Sequence, residues 1–238
     1  MPIRMGHYVI PENDRMHRFH IPLSHFQMYA NDMENYLLKK QLTVFDEEDE
    51  LEFEDDGEEE EEDEGLESTW LYFLGDKHTY GVQFPNILRS SLLISIYSFL
   101  ENQLTRLCKE LQVKMKLKVK YSSISGKGIE KAKVYLSDVV QLNFPSGSQE
   151  WQKINDYQNI RNCFAHSEGI VKDEDKKLIR SIEKLDNVNV QGDVVIGKSI
   201  ILSKDFISNF IETIKAFWEM IEEPYLEILY PIHYWYKK

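Results

Sequence analysis

The sequence predicts a mainly α-helical fold: a bundle of amphipathic helices carrying a small β-hairpin element. Leu88, Leu92, Ile96, Leu100, Leu104, Leu107 and Leu111 recur at steps of four and three, the spacing that lines one face of a helix. Two further segments repeat the pattern, through Trp151, Ile154, Tyr157, Ile160 and Phe164, and through Phe206, Ile207, Phe210, Ile214, Phe217 and Ile221. Between them, residues 188–190 and 194–196 are short valine-rich runs flanking Gln191-Gly192-Asp193. Such runs around a glycine turn read as a hairpin, with residues 199–202 as a third strand.

The remaining elements follow in order. Residues 1–23 are broken by Pro2, Pro11 and Pro22 and read as irregular. Ser24 can cap a helix over 24–42, with Phe26, Tyr29, Ala30, Met33 and Leu37 on its apolar side. Residues 70–84 mix aromatic, glycine and polar positions and predict an extended or hairpin segment. Pro85 sits where the first turn of the leucine-striped helix tolerates proline. A helix is expected over 129–142. Ser148 can cap the next one, which ends before the stop signal Gly169. Residues 173–185 predict a short charged helix and 204–223 a final strong one, closed by Pro224, with an aromatic tail packing back on the bundle.

Composition bounds the function. The 238-residue chain has a net charge of -13, with 41 acidic and 28 basic residues, which at first argues against a nucleic-acid binder. The charge is not evenly spread, because residues 46–64 hold 16 of the acidic residues and no basic one. That leaves 25 acidic against 28 basic residues elsewhere, a balance near +3 that is compatible with RNA. The acidic run has little to bury and repels itself, so 46–65 is expected to be a disordered linker. It divides a helical N-terminal extension, 1–45, from a helical domain over 66–238. Its bland role is solubilisation; its sharper one is to mimic RNA and compete for a basic groove, a competition that salt weakens.

Two cysteines, Cys108 and Cys163, make no disulfide framework in a chain of this size and read as reduced, buried thiols. Residues 1–10 hold no apolar core of signal-peptide length, and the apolar stretch 87–100 is interrupted by Arg89 and serines. A cytoplasmic protein with no membrane partner is the expectation. His17, His20 and His25 are ligands by type, but no cysteine pair or nearby carboxylate completes a metal site. No Gly-x-Ser-x-Gly or His-Glu-x-x-His string occurs, and Gly126-Lys127-Gly128 lacks the spacing of a phosphate-cradling P-loop.

The segment with the strongest chemistry is Ile160-Arg161-Asn162-Cys163-Phe164-Ala165-His166, followed by Ser167-Glu168-Gly169. Arg15 to His20 and Arg18 to His25 have similar spacing, but Met16 and Phe19 replace the polar partner and Pro22 interrupts the second. Arginine offers a planar fork for phosphate, and histidine, with a pKa near ~6.5, gives or takes a proton at neutral pH. At about 100° per residue, Asn162 and His166 lie one turn apart and Arg161 roughly 140° from His166, so all three can border one groove. Cys163 points away and reads as packing. Lys114, Lys116, Lys118, Lys120 and Lys127 form either a solvated face or a track for a phosphate backbone.

This string and its setting resemble the catalytic motif of the HEPN superfamily, the higher eukaryotes and prokaryotes nucleotide-binding domains. The resemblance implies a HEPN-like helical bundle over 66–238, with the β element as a departure from the family. It also implies metal- and cofactor-independent endoribonuclease activity by 2′-hydroxyl attack. Arg161 and His166 would be catalytic, Asn162 would orient a catalytic group or the phosphate, and Glu101, on another bundle helix, would support the pair. A homodimer with two facing motifs, a toxin or antiviral role and a nucleotidyltransferase-type antitoxin or other defence partner also follow from it. The alternative is a non-catalytic HEPN-like bundle that binds a protein or nucleotide; a third reading makes the acidic tract itself the element that occupies a basic partner.

Overall fold

The computed structural model describes residues 4–5, 8–9, 16–52, 75–192 and 197–229. β1 (Arg4–Met5) pairs antiparallel with β2 (Tyr8–Val9). A π turn, Met16–His20, leads into α1 (Ile21–Glu52). Two short helical pieces, Asp76–His78 and Thr79–Gln83, run into α2 (Phe84–Lys114). Then come α3 (Gly128–Val134), continued by a π turn over Tyr135–Val139, and α4 (Gln149–Ser167). β3 (Ile170–Val171), α5 (Lys176–Lys184), β4 (Val188–Gln191), β5 (Lys198–Leu202) and α6 (Phe206–Leu229) complete the order.

The fold is mainly helical with a three-stranded antiparallel sheet in the order β3-β5-β4. The middle of the bundle is α4, which packs against α2, α5 and α6. Its start is set as its sequence predicts, with the Ser148 hydroxyl accepting the Trp151 amide at 3.1 Å. Trp151, Ile154, Tyr157 and Ile160 are buried on one side. Trp151 stacks on Phe217 at 5.3 Å and Tyr157 meets Phe210 at 4.4 Å, so these aromatics lock α4 against α6. The leucine stripe of α2, from Leu92 to Leu111, faces the same core.

Several expectations change. α1 begins earlier and runs further than 24–42, ending at Glu52 within the acidic tract; the rest of that tract lies outside the described residues. Tyr29 is 52% exposed instead of facing the core, because Leu23, Ala30 and Leu37 make the buried stripe. Residues 76–83 are helical, not extended. Packing is the physical reason: both short pieces lie against α1, where Gly81 sits beside the Gln41 side chain. β4 pairs with β5, Val188 opposite Leu202, whereas the expected partner 194–196 lies outside the described residues. Pro224 does not end α6, which continues to Leu229. Leu226 is buried and Tyr225 and Ile228 pack on the core, and that burial outweighs the proline's lost hydrogen bond. The aromatic tail beyond 229 lies outside the described residues. No described helix is long and apolar enough to cross a membrane.

One residue ties three layers together. Arg89 on α2 donates to both carboxylate oxygens of Glu34 on α1, at 2.6 and 2.7 Å, and to the Leu202 carbonyl of β5. Asn86, one turn earlier, donates to the Ile200 carbonyl and accepts the Leu202 amide, both at 3.0 Å. Both charged side chains of the pair are only 12% exposed. Arg89→Ala leaves Glu34 desolvated without its partner and is expected to cost about 3 kcal/mol. Chemical denaturation measures it, and the double variant Arg89→Met/Glu34→Leu should recover a substantial part of the loss.

Candidate functional site

The Arg161–His166 segment occupies the last turns of α4, and its termination decides where each side chain goes. Glu168 (φ 53) and Gly169 (φ 83) adopt left-handed conformations, and both amides bond back to the Cys163 carbonyl. A Cβ on Gly169 would meet the Phe164 ring at 2.7 Å, so only glycine fits this tight reversal. The Gly169 carbonyl then accepts the Ile200 amide at 2.9 Å, and β3 joins β5 with Ile170 opposite Ser199. The helix end is thereby stitched to the sheet, leaving Ala165 and His166 exposed.

Arg161 turns toward α2. Its Nη1 donates to Asn162 Oδ1 at 3.0 Å, its Nη2 lies 3.9 Å from Glu101 Oε2, and its guanidinium sits over the Tyr97 ring at 5.2 Å. The Arg161 Nε and the Tyr97 hydroxyl are both buried without a well-formed hydrogen bond. Burial holds the Tyr97 hydroxyl far above its usual pKa; Glu101 pushes the same way and Arg161 opposes it. Tyr97 therefore stays neutral and is a platform for the guanidinium, not a proton donor. Glu101 rests against the start of α3, where Gly128 (φ 61) makes room: a Cβ there would come within 2.7 Å of Glu101 Oε1.

His166 opens on the other side of Asn162, into a groove of about 350 Å³ between the end of α4 and the start of α5. Asn159, Asn162, Lys172 and Lys177 share its walls. The structure thus joins Arg161 to Glu101 and Asn162, and joins Asn162 to His166, but Arg161 does not line the His166 groove. Asn162 is the link between the two halves. Cys163 is buried, its thiol donating to the Ile170 carbonyl at 3.3 Å, and burial raises its pKa. That thiol is part of the packing, but Cys163 does not point away from the site: it lies about 60° from His166 around the helix and borders the same groove.

The lysines separate into two groups. Lys114 closes α2, thirteen residues beyond Glu101 and so roughly 20 Å along the helix axis. Lys116, Lys118 and Lys120 follow it in the connecting loop, all exposed. Lys127, also exposed, immediately precedes the Gly128 that touches Glu101. Asn159, Lys172, Lys177 and Tyr97 were not expected at the site. Asn159 was within reach of helix arithmetic, since it lies seven residues before His166 on the same face. Lys172 and Lys177 were not, because only the Gly169 reversal folds them back beside α4.

No family model matches the chain, and neither the curated proteins nor the solved structures compared with it include a match.

Tyr97→Phe removes a buried hydroxyl that makes no well-formed hydrogen bond, though the nearby Gln158 side chain, like Arg161, lowers its pKa, and it keeps the ring under Arg161. Thermal unfolding should shift little or upward, by up to about 1 kcal/mol. A loss of several kcal/mol would mean that the hydroxyl is engaged after all.

Proposed function

We propose that this protein is a metal-independent endoribonuclease of HEPN type, acting in a cytoplasmic toxin or antiviral system. The observation that carries the reading is the end of α4. An exposed His166 and a guanidinium stand on either side of Asn162, which bonds the arginine and lines the histidine's groove. RNA supplies its own nucleophile. His166 of one chain takes the proton from a 2′-hydroxyl as its oxygen attacks the adjacent phosphorus. A protonated His166 of a second copy gives a proton to the departing 5′-oxygen. The products are a 2′,3′-cyclic phosphate and a 5′-hydroxyl.

Arg161 offsets the charge that builds on the phosphorane. To do so it exchanges its loose contact with Glu101 for phosphate, and Asn162 keeps the freed side chain near the reacting centre. Glu101 is then a positioning residue that stores the arginine against Tyr97. Lys127 lies beside this arrangement, while Lys114, Lys116, Lys118 and Lys120 would guide the more distant backbone of the RNA. A nucleotidyltransferase-type antitoxin or another defence partner would hold the activity in check.

His166→Ala and Arg161→Ala should each lower cleavage of total RNA in chelator by at least 10²-fold, the usual scale for losing a proton-transfer group or a charge stabiliser. Circular dichroism and melting of His166→Ala should stay unchanged, because His166 is exposed, so its loss of cleavage reads chemistry alone. Equal cleavage by wild type and both variants would remove the catalytic assignment. The engagement of Arg161 with Glu101 and Tyr97 favours a second reading, in which the motif serves packing in a non-catalytic interaction module. That reading expects no cleavage by the wild type and a lowered melting temperature for Arg161→Ala.

The dimer follows from proton bookkeeping: a single histidine cannot hold the base and acid forms at once, whereas two opposed copies can. Sedimentation equilibrium should show a dimer at micromolar concentration. A monomer with full cleavage activity would overturn it.

A further inference from the structure

The groove beside His166 has features that neither packing nor proton transfer requires. Lys172 comes from the segment just after the Gly169 reversal, and Lys177 from the first turn of α5; both are exposed. Among the described residues neither forms an ion pair, whereas neighbouring Lys198 binds Asp173 at 2.8 Å. The one carboxylate on the groove wall, Asp175, is turned to the helix start: its Oδ1 accepts the Leu178 amide at 3.0 Å as the cap of α5. The first turn of α5 contains no acidic residue and begins with Lys176 and Lys177. Cations there oppose the helix dipole, and on the groove wall Lys172 and Lys177 stand against the single carboxylate of Asp175.

The other walls suit a base. Asn159 is held in place by donating to Ser181 Oγ at 2.8 Å, and that hydroxyl, 1% exposed, donates to Asp156 Oδ1 at 2.7 Å. Asn159 therefore presents its amide in a fixed orientation. Asn162 is oriented by Arg161, and Ile170 leaves 46% of its surface exposed at the groove wall. Two fixed amides, an apolar patch and two cations in about 350 Å³ match the lower end of small-ligand sites, about 300–1,000 Å³.

We infer that this groove, formed by Asn159, Asn162, Ile170, Lys172 and Lys177, is a nucleotide subsite for single-stranded RNA. It seats the base next to the scissile phosphate on the two asparagines and the flanking phosphates on the two lysines. The inference rests on the ribonuclease reading for its substrate class but not on catalysis itself.

The test uses the full-length protein and a short single-stranded RNA with 2′-fluoro groups at every position, which lacks the nucleophile and cannot be cleaved. Fluorescence anisotropy across a salt series should show that Lys172→Ala/Lys177→Ala binds at least tenfold more weakly than wild type. Its log–log salt slope should be shallower by about 1.4, from two lost contacts at roughly 0.7 each for a single strand. Lys39→Ala/Lys40→Ala, on α1, removes the same charge outside the groove and should leave both quantities near wild type. Equal weakening in the two double variants would reduce the effect to overall charge and overturn the subsite, as would a wild type that does not bind the probe. The catalytic reading fails separately: probe binding lost in the groove variant, with no cleavage of natural RNA by wild type, keeps the subsite and removes the nuclease. Cleavage by wild type, with probe binding unaffected in the groove variant, does the reverse.

Discussion

The left-handed reversal at Glu168 and Gly169 is the constraint on which the candidate site depends. A helix normally leaves its last carbonyls without partners. Here the Cys163 carbonyl collects both following amides, and the Phe164 ring closes over the space that a side chain on Gly169 would need. Once the chain turns there, β3 must run back along the end of α4 and pair with β5. The same turn exposes His166, buries Cys163 and brings Lys172 and the start of α5 alongside. A different stop one residue earlier or later would rotate every one of those relations by about 100°.

The rest of the molecule makes that helix end rigid. α4 is clamped by aromatic contacts to α6 and by the leucine stripe of α2, while Arg89 and Asn86 fix β5 to α2. Because β5 is also the strand that receives β3, the position of His166 is referred back to the α1–α2 pair through a chain of hydrogen bonds. The sheet is small, yet it connects the motif helix to the body of the bundle. A purely helical arrangement would leave that end free to fray.

The helical stripes were legible because they obey a single local rule, and Ser148 and Gly169 mark the ends of α4 by their own chemistry. What sequence patterns did not reveal depended on contacts distant along the chain. The turn of helix around Gly81 reads as extended until α1 is packed against it. Tyr29 fits an apolar face drawn from spacing, but the register chosen by Leu23, Ala30 and Leu37 turns it outward. Pro224 is a valid local stop that tertiary burial overrides. At the site, the angular arithmetic placed Asn162 beside His166 and left Arg161 about 140° away. It did not reveal that Tyr97 and Glu101 would draw Arg161 to the other side, since that requires knowing which helix packs there.

Two arginine–glutamate pairs in the same chain show how geometry divides structure from chemistry. Arg89 and Glu34 meet through two short bonds, at 2.6 and 2.7 Å, with 12% of each side chain exposed. Breaking that pair strands a desolvated charge, so it holds the helices together. Arg161 and Glu101 approach only to 3.9 Å, with 23% and 30% exposed. A partly solvated contact of that length is weak and lacks the parallel fork that makes arginine–carboxylate pairs strong. A phosphate offers that fork, together with greater charge, so it can compete for the guanidinium at little cost. Under the proposed function, Glu101 would act less as an anchor than as a holding position, keeping the arginine ordered over Tyr97 until a phosphate takes it.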